Sequence, residues 1–267
     1  MSAPTAANVF PHLTTSTLGR QLLYEQSLPS SNRLAAELGE RGTLEGLLVV
    51  AESQQAGRGR QTRCWFSPAE RNLYFSLLLR PSVPPKRVPE IALLAALALH
   101  SAIMLTLPNL SVGIKWPNDL LVDNKKISGI LCESAITPEY GLQVVVGIGV
   151  NVNCPLQEFP PELQQTATSL LIASGQEQDR SSLLAGFLNQ FEPCYQHWLQ
   201  AENLSTFLPA WQAADVLQGR SICLESPSGR QTGCAEGIAS DGRLRLRVPD
   251  GRLTLVTCGD THLAPLA

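Results

Sequence analysis

The sequence predicts an α+β fold in which a larger domain of mixed strands and helices is followed by a small all-β module. Through the first 216 residues, apolar runs of strand length are interspersed with two long helical stretches. From residue 217 onward, short alternating runs are separated by the turns Asp241-Gly242 and Asp250-Gly251, a pattern typical of β-hairpins. We therefore expect two domains, at residues 1–216 and 217–267.

The elements of the larger domain follow from the spacing of its apolar residues. Residues 1 to about 20 carry no clear pattern and are expected to be irregular. Pro89, near the start of an alanine-rich stretch, predicts a helix that runs to about residue 107. The remaining expected elements are strands at 47–53, 72–79, 112–116, 120–122, 127–133 and 142–150, and an amphipathic helix at 182–200.

Composition and charge exclude several classes of protein. A hydrophobic content of 44% with 16% charged residues is typical of a globular chain rather than a disordered one. The formal net charge of −3 gives no overall attraction to nucleic acid or anionic membranes. Separated cysteines without C-x-x-C pairs favour a reducing compartment. The longest apolar run, residues 91–99, is too short to span a bilayer, and we see no signal peptide. We therefore expect a cytoplasmic protein without a membrane partner.

The most informative segment is the loop at residues 54–60, Gln-Gln-Ala-Gly-Arg-Gly-Arg, with Arg63 and Trp65 just after it. Its glycines let the backbone approach an anion closely, and its arginines are permanently charged donors for phosphate or carboxylate oxygens. Trp65 could stack on a flat heterocycle. A solvated basic loop in front of a core tryptophan explains the same residues equally well. The loop is not a P-loop, because no G-K-[ST] follows it.

A second segment, Lys-Trp-Pro-Asn-Asp at residues 115–119, precedes a lysine at position 126. Pro117 imposes an extended or turn conformation that presents Asn118 and Asp119 at a strand end. A carboxylate beside a phosphate-binding loop suggests a contact to Mg²⁺ or a positioning role. Lys126, if partly drawn into the sheet, needs an anionic partner. The alternative is that Asp119 only forms the turn and Lys126 is an edge residue whose ammonium reaches solvent.

A third segment, Gly-Ile-Gly-Val-Asn at residues 147–151, begins like a dinucleotide-binding fingerprint. Valine stands at position 152, where a third glycine is required, and the pair of glycines ends a strand. A Rossmann site is therefore excluded. Glycines inside a strand more often mark a bulge or a ligand that lies against the backbone.

Together these segments resemble the biotin–protein ligase family. That family carries a G-R-G-R loop ending in tryptophan, then K-W-P-N-D, a K-x-x-G-I-L strand and a G-x-G-x-N strand end, and all four occur here in order. Ser30-Ser31-Asn32 is similar to the family's S-T-N element, with serine in place of threonine. The resemblance covers residues 24–155 by motifs and extends to the C-terminus through a module similar to the family's SH3-like β-barrel. It implies a mixed, largely antiparallel sheet flanked by helices, related to class II aminoacyl-tRNA synthetases.

The resemblance implies an enzyme that forms biotinyl-5′-AMP from biotin and ATP with Mg²⁺. It would then transfer biotin to a lysine of the biotin carboxyl carrier protein of acetyl-CoA carboxylase. Arg60, Lys126 and Asp119 would be catalytic, with Asp119 also the candidate Mg²⁺ ligand and the candidate base for the carrier lysine. The residues implied for biotin are Ser30, Ser31, Asn32, Gln54, Gly57, Arg58, Gly59, Arg60, Lys126, Gly129, Gly147 and Gly149. Those implied for the nucleotide are Arg58, Arg60, Arg63, Trp65, Asn118 and Asn151.

Several alternatives remain beside this reading. A lipoate–protein ligase has a similar fold and chemistry, but its R-R-x-S-G-G-G element is absent here. Some relatives are repressors with a DNA-binding domain of roughly 60 residues ahead of the S-T-N element. Only 29 residues precede Ser30, so no nucleic-acid partner is expected. The family's arginine after G-D-V is missing between Asp260 and Ala264, which leaves the role of the C-terminal module open. A monomer and a homodimer are both compatible with the sequence.

Overall fold

The computed structural model describes residues 2–226 and 229–263, and its larger domain is built on one seven-stranded sheet. The strands are β1 Gln21–Glu25, β2 Leu47–Ala51, β3 Leu73–Leu79, β4 Val112–Lys115, β5 Asp119–Val122, β6 Lys125–Thr137 and β7 Gly141–Val150. They lie in the order β1-β2-β3-β7-β6-β5-β4. Strands β1 and β2 are parallel, and every other neighbouring pair in this sheet is antiparallel. The expected mixed, largely antiparallel sheet is confirmed.

Helices cover both faces of the central strands β2, β3 and β7, which explains why these strands read as continuous apolar runs. The helices are α1 Ala6–Val9, α2 Ser31–Glu40, α3 Val88–Thr106, α4 Leu170–Ser174, α5 Arg180–Gln200 and α6 Leu208–Ala214. Leu47 and Val49 of β2 pack with Ala35 of α2 on one face. Leu48 and Val50 of the same strand belong to the main core, which contains α3 and α5.

Helix α3 is apolar around its circumference because it packs between the sheet and α5. By length and composition, Pro85–Thr106 would suffice to cross a membrane, so the sequence argument that no apolar stretch is long enough was wrong. Within the protein, however, 67% of the apolar window of this segment is buried. The core therefore accounts for its composition, and the absence of a membrane partner stays a prediction.

The C-terminal module is a five-stranded antiparallel sheet in the order β11-β10-β9-β8-β12. Its strands are β8 Ser221–Ser226, β9 Gly229–Ile238, β10 Leu244–Arg247, β11 Leu253–Val256 and β12 Asp260–Leu263. Gly242 and Gly251 adopt φ values of 80° and 85° in the two predicted Asp-Gly turns, where a residue with a side chain would be strained. No closed barrel is found among the described residues. The SH3-like barrel and the boundary after residue 216 stay predictions, and Ala264 lies outside the described part of the chain.

The prediction that the N-terminal region is irregular holds only in part. Residues 1 to 20 are not irregular throughout, because they contain α1 and a 3₁₀ turn at Phe10–His12. Their order depends on α5: the Glu192 carboxylate accepts backbone N–H groups from Thr17 and Leu18 at 2.8 Å each. Such long-range contacts leave no local pattern. Helix α2, also unpredicted, begins after Ser30 in the N-cap position, a placement that serine favours.

A buried ion pair fixes the base of the loop that follows β2. Arg180 of α5 places Nη1 2.5 Å from Glu52 Oε1, and neither side chain is more than 2% exposed. The Tyr24 hydroxyl donates to Glu52 Oε2 at 2.6 Å. Burial alone would raise the pKa of Glu52, but the hydrogen bonds from Arg180 and Tyr24 hold that pKa below its usual value. The pair thus anchors the loop to α5 in its charged form.

Candidate functional site

A cavity of about 660 Å³ opens on the sheet, beneath the 54–66 loop and next to segment 159–167 and strand β12. All residues that the sequence predicts for the site line this cavity except Gly57. The three separated motifs therefore come together in space, as a shared ligand site requires.

Part of the floor of the cavity is one row of residues that crosses the sheet. Gly149 on β7 pairs with Gly129 on β6, Gly129 pairs with Asp119 on β5, and Asp119 pairs with Lys115 on β4. Residues directly opposite one another in antiparallel strands place their side chains on the same face. A Cβ on Gly149 would lie 2.4 Å from the Trp65 ring, and one on Gly129 would lie 2.9 Å from it. The Trp65 ring thus lies directly on these two glycines, and this glycine ledge continues along the row into a carboxylate and an ammonium.

One end of the cavity is formed mainly by amides and hydroxyls, with the ion pair of Arg58 and Glu133 beside them. The Ser31 N–H and hydroxyl donate to Gln54 Oε1 at 2.9 and 3.1 Å. The Ser76 hydroxyl donates to Asn32 Oδ1 at 2.6 Å. Gly147 makes room for this end, because a Cβ there would lie 1.8 Å from Asn32 Oδ1. Amides and hydroxyls without formal charge suit a neutral polar ring that both donates and accepts hydrogen bonds.

Lys126 has the anionic partner that its position in the sheet requires. Its Nζ lies 2.6 Å from Asp119 Oδ1 and 5.4 Å from the centre of the Trp65 ring. Lys115 Nζ lies 3.9 Å from Asp119 Oδ2 on the other side. Because Asp119 is shared by two ammonium groups, the pair leaves positive charge available for an anionic ligand. Asp119 therefore does more than form a turn, and Lys126 is not an edge residue whose ammonium faces only solvent.

The three arginines of the loop bond to carboxylates of the protein itself. Arg58 Nη2 lies 2.9 Å from Glu133 Oε1 at the end of the cavity near Asn32. Arg60 lies 3.6 Å from Asp260 of β12, and Arg63 pairs with the same carboxylate. The loop is thus tied to the C-terminal sheet, and a bound phosphate would compete with Asp260 for the two guanidinium groups.

Gly57 does not line the cavity, so its predicted contact with biotin is not supported. The loop itself requires the missing side chain, since a Cβ on Gly57 would lie 2.6 Å from the Trp65 carbonyl oxygen. The Gly57 carbonyl accepts the Trp65 N–H at 2.9 Å, and the Gly59 N–H donates to the Arg63 carbonyl at 2.7 Å. These bonds fold the loop into a hairpin that places its arginines beside the cavity.

The two predicted asparagines hold the cavity walls together. Asn118 Nδ2 donates to the Ile130 carbonyl at 2.7 Å, and its Oδ1 accepts from Arg60 Nη1 at 3.0 Å. Asn151 Nδ2 donates to the Thr168 carbonyl at 3.0 Å. Their amides are therefore already bonded to the protein, and their predicted contact with adenine stays a prediction.

Sequence reasoning missed an apolar pocket and a charged region of the cavity. Segment 159–167 reaches the site because the Lys126 N–H donates to the Thr166 carbonyl at 2.8 Å, a long-range pairing without periodic signal. Lys115 could have been found, because its register opposite Asp119 follows from the tight turn between them. The apolar pocket comprises Phe66, Phe159, Leu163 and Ala167, and the charged region comprises Lys115 and Asp260–His262.

The surroundings of Asp119 do not fit a resident Mg²⁺ ion. Mg²⁺ in proteins is usually held by one or two carboxylates together with substrate phosphates and water. Here the single carboxylate is flanked by the ammonium groups of Lys126 and Lys115. Over residues 2–226 and 229–263, no group of three or more His, Cys, Asp or Glu side chains could hold a metal. The sequence interpretation of Asp119 as a Mg²⁺ ligand is therefore not supported.

Comparisons with known proteins agree with this geometry. The model of the biotin/lipoate A/B protein ligase family matches residues 24–151. A bifunctional ligase/repressor of Bacillus subtilis is 36% identical over 239 residues, which cover 90% of this chain and 73% of that protein. A biotin–[acetyl-CoA-carboxylase] ligase of Mycobacterium tuberculosis is 33% identical over 251 residues, covering 91% and 90%. A structure of the Aquifex aeolicus biotin protein ligase with biotin and ATP superimposes with a TM-score of 0.79 at 26% identity, covering 92% of this chain and 99% of that one.

Proposed function

The chain belongs to the biotin/lipoate A/B protein ligase family, and we propose that it is an ATP-dependent biotin–protein ligase. The observation that carries the proposal is the cavity, which joins a pocket of amides and hydroxyls at one end to a cluster of cations at the other. Such a site suits an acid with a neutral polar head and a carboxylate that is to be joined to a phosphate. Relatives named as ligases of this kind support the same activity.

The polar end of the cavity favours biotin over lipoate, the other acid that this family handles. The ureido ring of biotin has two N–H donors and a carbonyl acceptor, which match the amides and hydroxyls of Ser31, Asn32 and Gln54. The dithiolane ring of lipoate offers no comparable partners. Lipoate would therefore gain no hydrogen bonds here beyond those that the pocket already makes within the protein, so we expect it to bind more weakly than biotin.

The first step requires positioning and charge neutralisation. Biotin in the cavity beside the ledge would direct its carboxylate toward Lys126, which Asp119 holds in place. The biotin oxygen attacks the α-phosphate and pyrophosphate departs with the electron pair of the broken P–O bond. Arg60, at the loop hairpin, would stabilise the charge that develops on the phosphate oxygens. Mg²⁺ would arrive with the phosphates of ATP as Mg·ATP, since no protein site for it is evident within the described residues.

In the second step the neutral amine of a carrier lysine attacks the carbonyl carbon of the mixed anhydride, the bond from that carbon to the phosphate oxygen breaks, AMP leaves with the electron pair, and the proton lost by the nitrogen passes to solvent. The Trp65 ring over the ledge and the hairpin of residues 57–65 would exclude water from the anhydride meanwhile. Of the carboxylates among the described residues of the cavity lining, Asp119 would be the nearer to biotin, because it pairs with Lys126, which would hold the biotin carboxylate. Its ion pair with Lys126 makes a positioning role a better fit than that of a free base.

The carrier that we propose is the biotin carboxyl carrier protein of acetyl-CoA carboxylase, in keeping with the names of relatives. We further propose a cytoplasmic enzyme that acts without nucleic acid, and we leave its oligomeric state open. The adenine would lie in the apolar pocket of Phe66, Phe159, Leu163 and Ala167, because a flat heterocycle suits apolar and aromatic walls.

A transfer assay tests the proposal. The protein is mixed with biotin, ATP and an apo carrier domain, and the carrier is weighed by mass spectrometry. We expect one biotin on the carrier, and none on a carrier whose acceptor lysine is replaced by arginine. Equal modification of both carriers, or a dependence on lipoate instead of biotin, would reject the assignment.

A further inference from the structure

Glu133 is a charged residue beside the cavity for which neither the motifs nor the two-step chemistry above provides a role. It lies on β6 and is not part of the cavity lining, but its carboxylate contacts two residues that are. Oε2 accepts the Asn32 amide N–H at 2.8 Å, and Oε1 lies 2.9 Å from Arg58 Nη2. A contribution of Glu133 to ligand binding would therefore act through one of these two side chains.

A hydrogen-bond chain runs from Glu133 through Asn32 and Ser76 to Ser31. A carboxylate only accepts hydrogen bonds, so the Asn32 amide must turn its nitrogen to Glu133 and its oxygen to Ser76. The Ser76 hydroxyl donates to that oxygen at 2.6 Å, and Ser76 Oγ lies 2.8 Å from Ser31 Oγ. The last three residues are at most 5% exposed, so bulk water has little access to these bonds. The carboxylate thus fixes the direction of the hydrogen-bond chain at its first link.

A backbone carbonyl fixes the direction of the bonds that reach Ser31 from the other side. The Ser67 hydroxyl donates to the Trp65 carbonyl at 3.0 Å and accepts from Gln54 Nε2 at 3.1 Å. Gln54 therefore turns its oxygen to Ser31, whose N–H donates to it at 2.9 Å. Ser31 Oγ thus lies between Gln54 Oε1 at 3.1 Å and Ser76 Oγ at 2.8 Å.

Ser31 has one hydroxyl proton, and both of these neighbours can only accept it. Ser76 has given its own proton to Asn32, and Gln54 presents its oxygen. The Ser31 proton therefore stays within the protein, shared between the two acceptors. Toward the cavity, which Ser31 lines, its oxygen offers only lone pairs. It can bind a ligand N–H but not a ligand carbonyl.

We propose that Glu133 is a positioning residue that makes Ser31 an acceptor for a ring N–H of biotin. This inference rests on the proposed function and deepens it, because it needs biotin in the cavity. Without the carboxylate the Asn32 amide is free to turn, and the hydrogen-bond chain can reverse. Asn32 Nδ2 then donates to Ser76, Ser76 donates to Ser31, and the Ser31 proton turns toward the biotin N–H. The pair of Glu133 with Arg58 contributes less, because the arginine side chain is 54% exposed.

The test compares Glu133→Ala with Glu133→Gln and with a control, Glu37→Ala. Alanine removes the acceptor for Asn32 together with the charge opposite Arg58. Glutamine keeps an acceptor oxygen for Asn32 and removes only the charge. Glu37 is a carboxylate of α2 in an exposed pair with Arg33, and it is not part of the cavity lining.

Each protein is titrated by calorimetry with biotin and with its two cyclic carbamate analogues, in which an oxygen atom replaces one or the other ring N–H. These analogues are uncharged in the ring and similar in size to biotin, but they present an acceptor where biotin presents a donor. One of the two therefore places its oxygen against Ser31. It is identified as the analogue that the wild type binds more weakly, and the readout is the ratio of its dissociation constant to that of biotin. Thermal unfolding checks that each variant is folded.

For the wild type we expect a ratio of about 100 or more, because a site built to accept a ligand N–H rejects an analogue that lacks it. Glu133→Ala should bind biotin about 10- to 100-fold more weakly, as for the loss of a charge-assisted hydrogen bond, and its ratio should fall about tenfold. Glu133→Gln should keep the wild-type ratio and lose less than about fivefold in biotin affinity. Glu37→Ala should match the wild type in both.

An unchanged ratio in Glu133→Ala would overturn the inference, because a purely structural loss weakens the binding of biotin and of its analogue equally. A ratio near one in the wild type would do the same, since Ser31 would then face no ring N–H. A ratio that falls equally in Glu133→Gln would assign the effect to the charge opposite Arg58 and would also overturn it. Failure of the proposed function has a different signature, since the wild type would then bind neither biotin nor the analogues.

Discussion

Replacement of Lys126 by alanine should reduce the use of biotin far more than the binding of ATP. The side chain of Lys126 is 34% exposed and that of Asp119 is 15% exposed, so their pair lies between a surface and a buried ion pair. Surface pairs contribute ~0.2–1 kcal/mol, and loss of one partner of a buried pair costs ~3–5 kcal/mol. Without the ammonium, the biotin carboxylate would also face Asp119 directly, with Lys115 at 3.9 Å as partial compensation.

From these limits we expect a loss of ~1.5–3 kcal/mol in biotin affinity, or roughly 10- to 150-fold. Calorimetric titration with biotin measures this loss of affinity. The dissociation constant for ATP, titrated on the same sample, should change less than about threefold. Thermal unfolding checks that the variant is folded. Lys125→Ala is the control, because this adjacent lysine of β6 does not line the cavity. An unchanged biotin affinity in Lys126→Ala would show that Lys126 is an edge residue that does not contact biotin. Equal losses for biotin and ATP would mean that the substitution damages the cavity as a whole.

Further predictions concern retention of the intermediate, stability and partners. Arg60→Gly should still form biotinyl-AMP but release it early, so a blot should show biotin on an unrelated lysine-rich protein. A bystander as clean as with the wild type would contradict this. Glu52→Gln, which leaves Arg180 buried and unpaired, should cost ~3–5 kcal/mol of unfolding free energy in urea. Glu158→Gln, in an exposed pair, should cost below ~1 kcal/mol, and equal losses would refute the distinction. Burial raises the pKa of Asp215 from 3.8 to about 6, so the folded state binds this proton more tightly than the unfolded state. The contribution of this group to stability is full below pH ~4 and is lost as the pH rises to ~6. At pH 7 the free energy of unfolding of Asp215→Asn should therefore exceed that of the wild type by up to ~3 kcal/mol, seen as a higher unfolding temperature. At pH 4 there should be no such gain. A gain at both pH values would assign the effect to packing. A gel shift at physiological salt should show no sequence-specific DNA binding, and retention of its own operon's promoter would refute this.

Strands β2 to β7 and the long helices α3 and α5 could be predicted because their buried residues leave apolar runs in the sequence, whereas strand β1, which is only partly buried, was not predicted. Register could be read where a tight turn imposes it, as between Lys115 and Asp119. The N-terminal segment could not be read in this way, since its order comes from backbone contacts to Glu192, which is far away in the sequence. The contact between segment 159–167 and Lys126 could not be predicted either, because it also joins residues that are far apart in the sequence.

In the site, the type of each residue predicted the chemistry it can perform better than it predicted which group the residue contacts. The loop arginines were expected to meet a phosphate, and the structure shows that Arg60 and Arg63 also meet Asp260 of the C-terminal sheet. Gly57 was assigned to the ligand because it lies in a glycine motif, yet it serves the closure of the hairpin against the Trp65 carbonyl. Glycine motifs report close approach, but only coordinates tell whether the approaching atom belongs to a ligand or to the protein.

The measurement that tests the central claim most directly is exchange of labelled pyrophosphate into ATP, with biotin, lipoate or no acid present. The pocket of amides and hydroxyls at Asn32 and the cation cluster at Lys126 predict exchange that depends on biotin and needs no carrier. Lipoate should support little exchange, because its dithiolane ring cannot form the hydrogen bonds to that pocket that the ureido ring of biotin can form. Exchange with lipoate at or above the rate with biotin, or no exchange with biotin, would contradict the account.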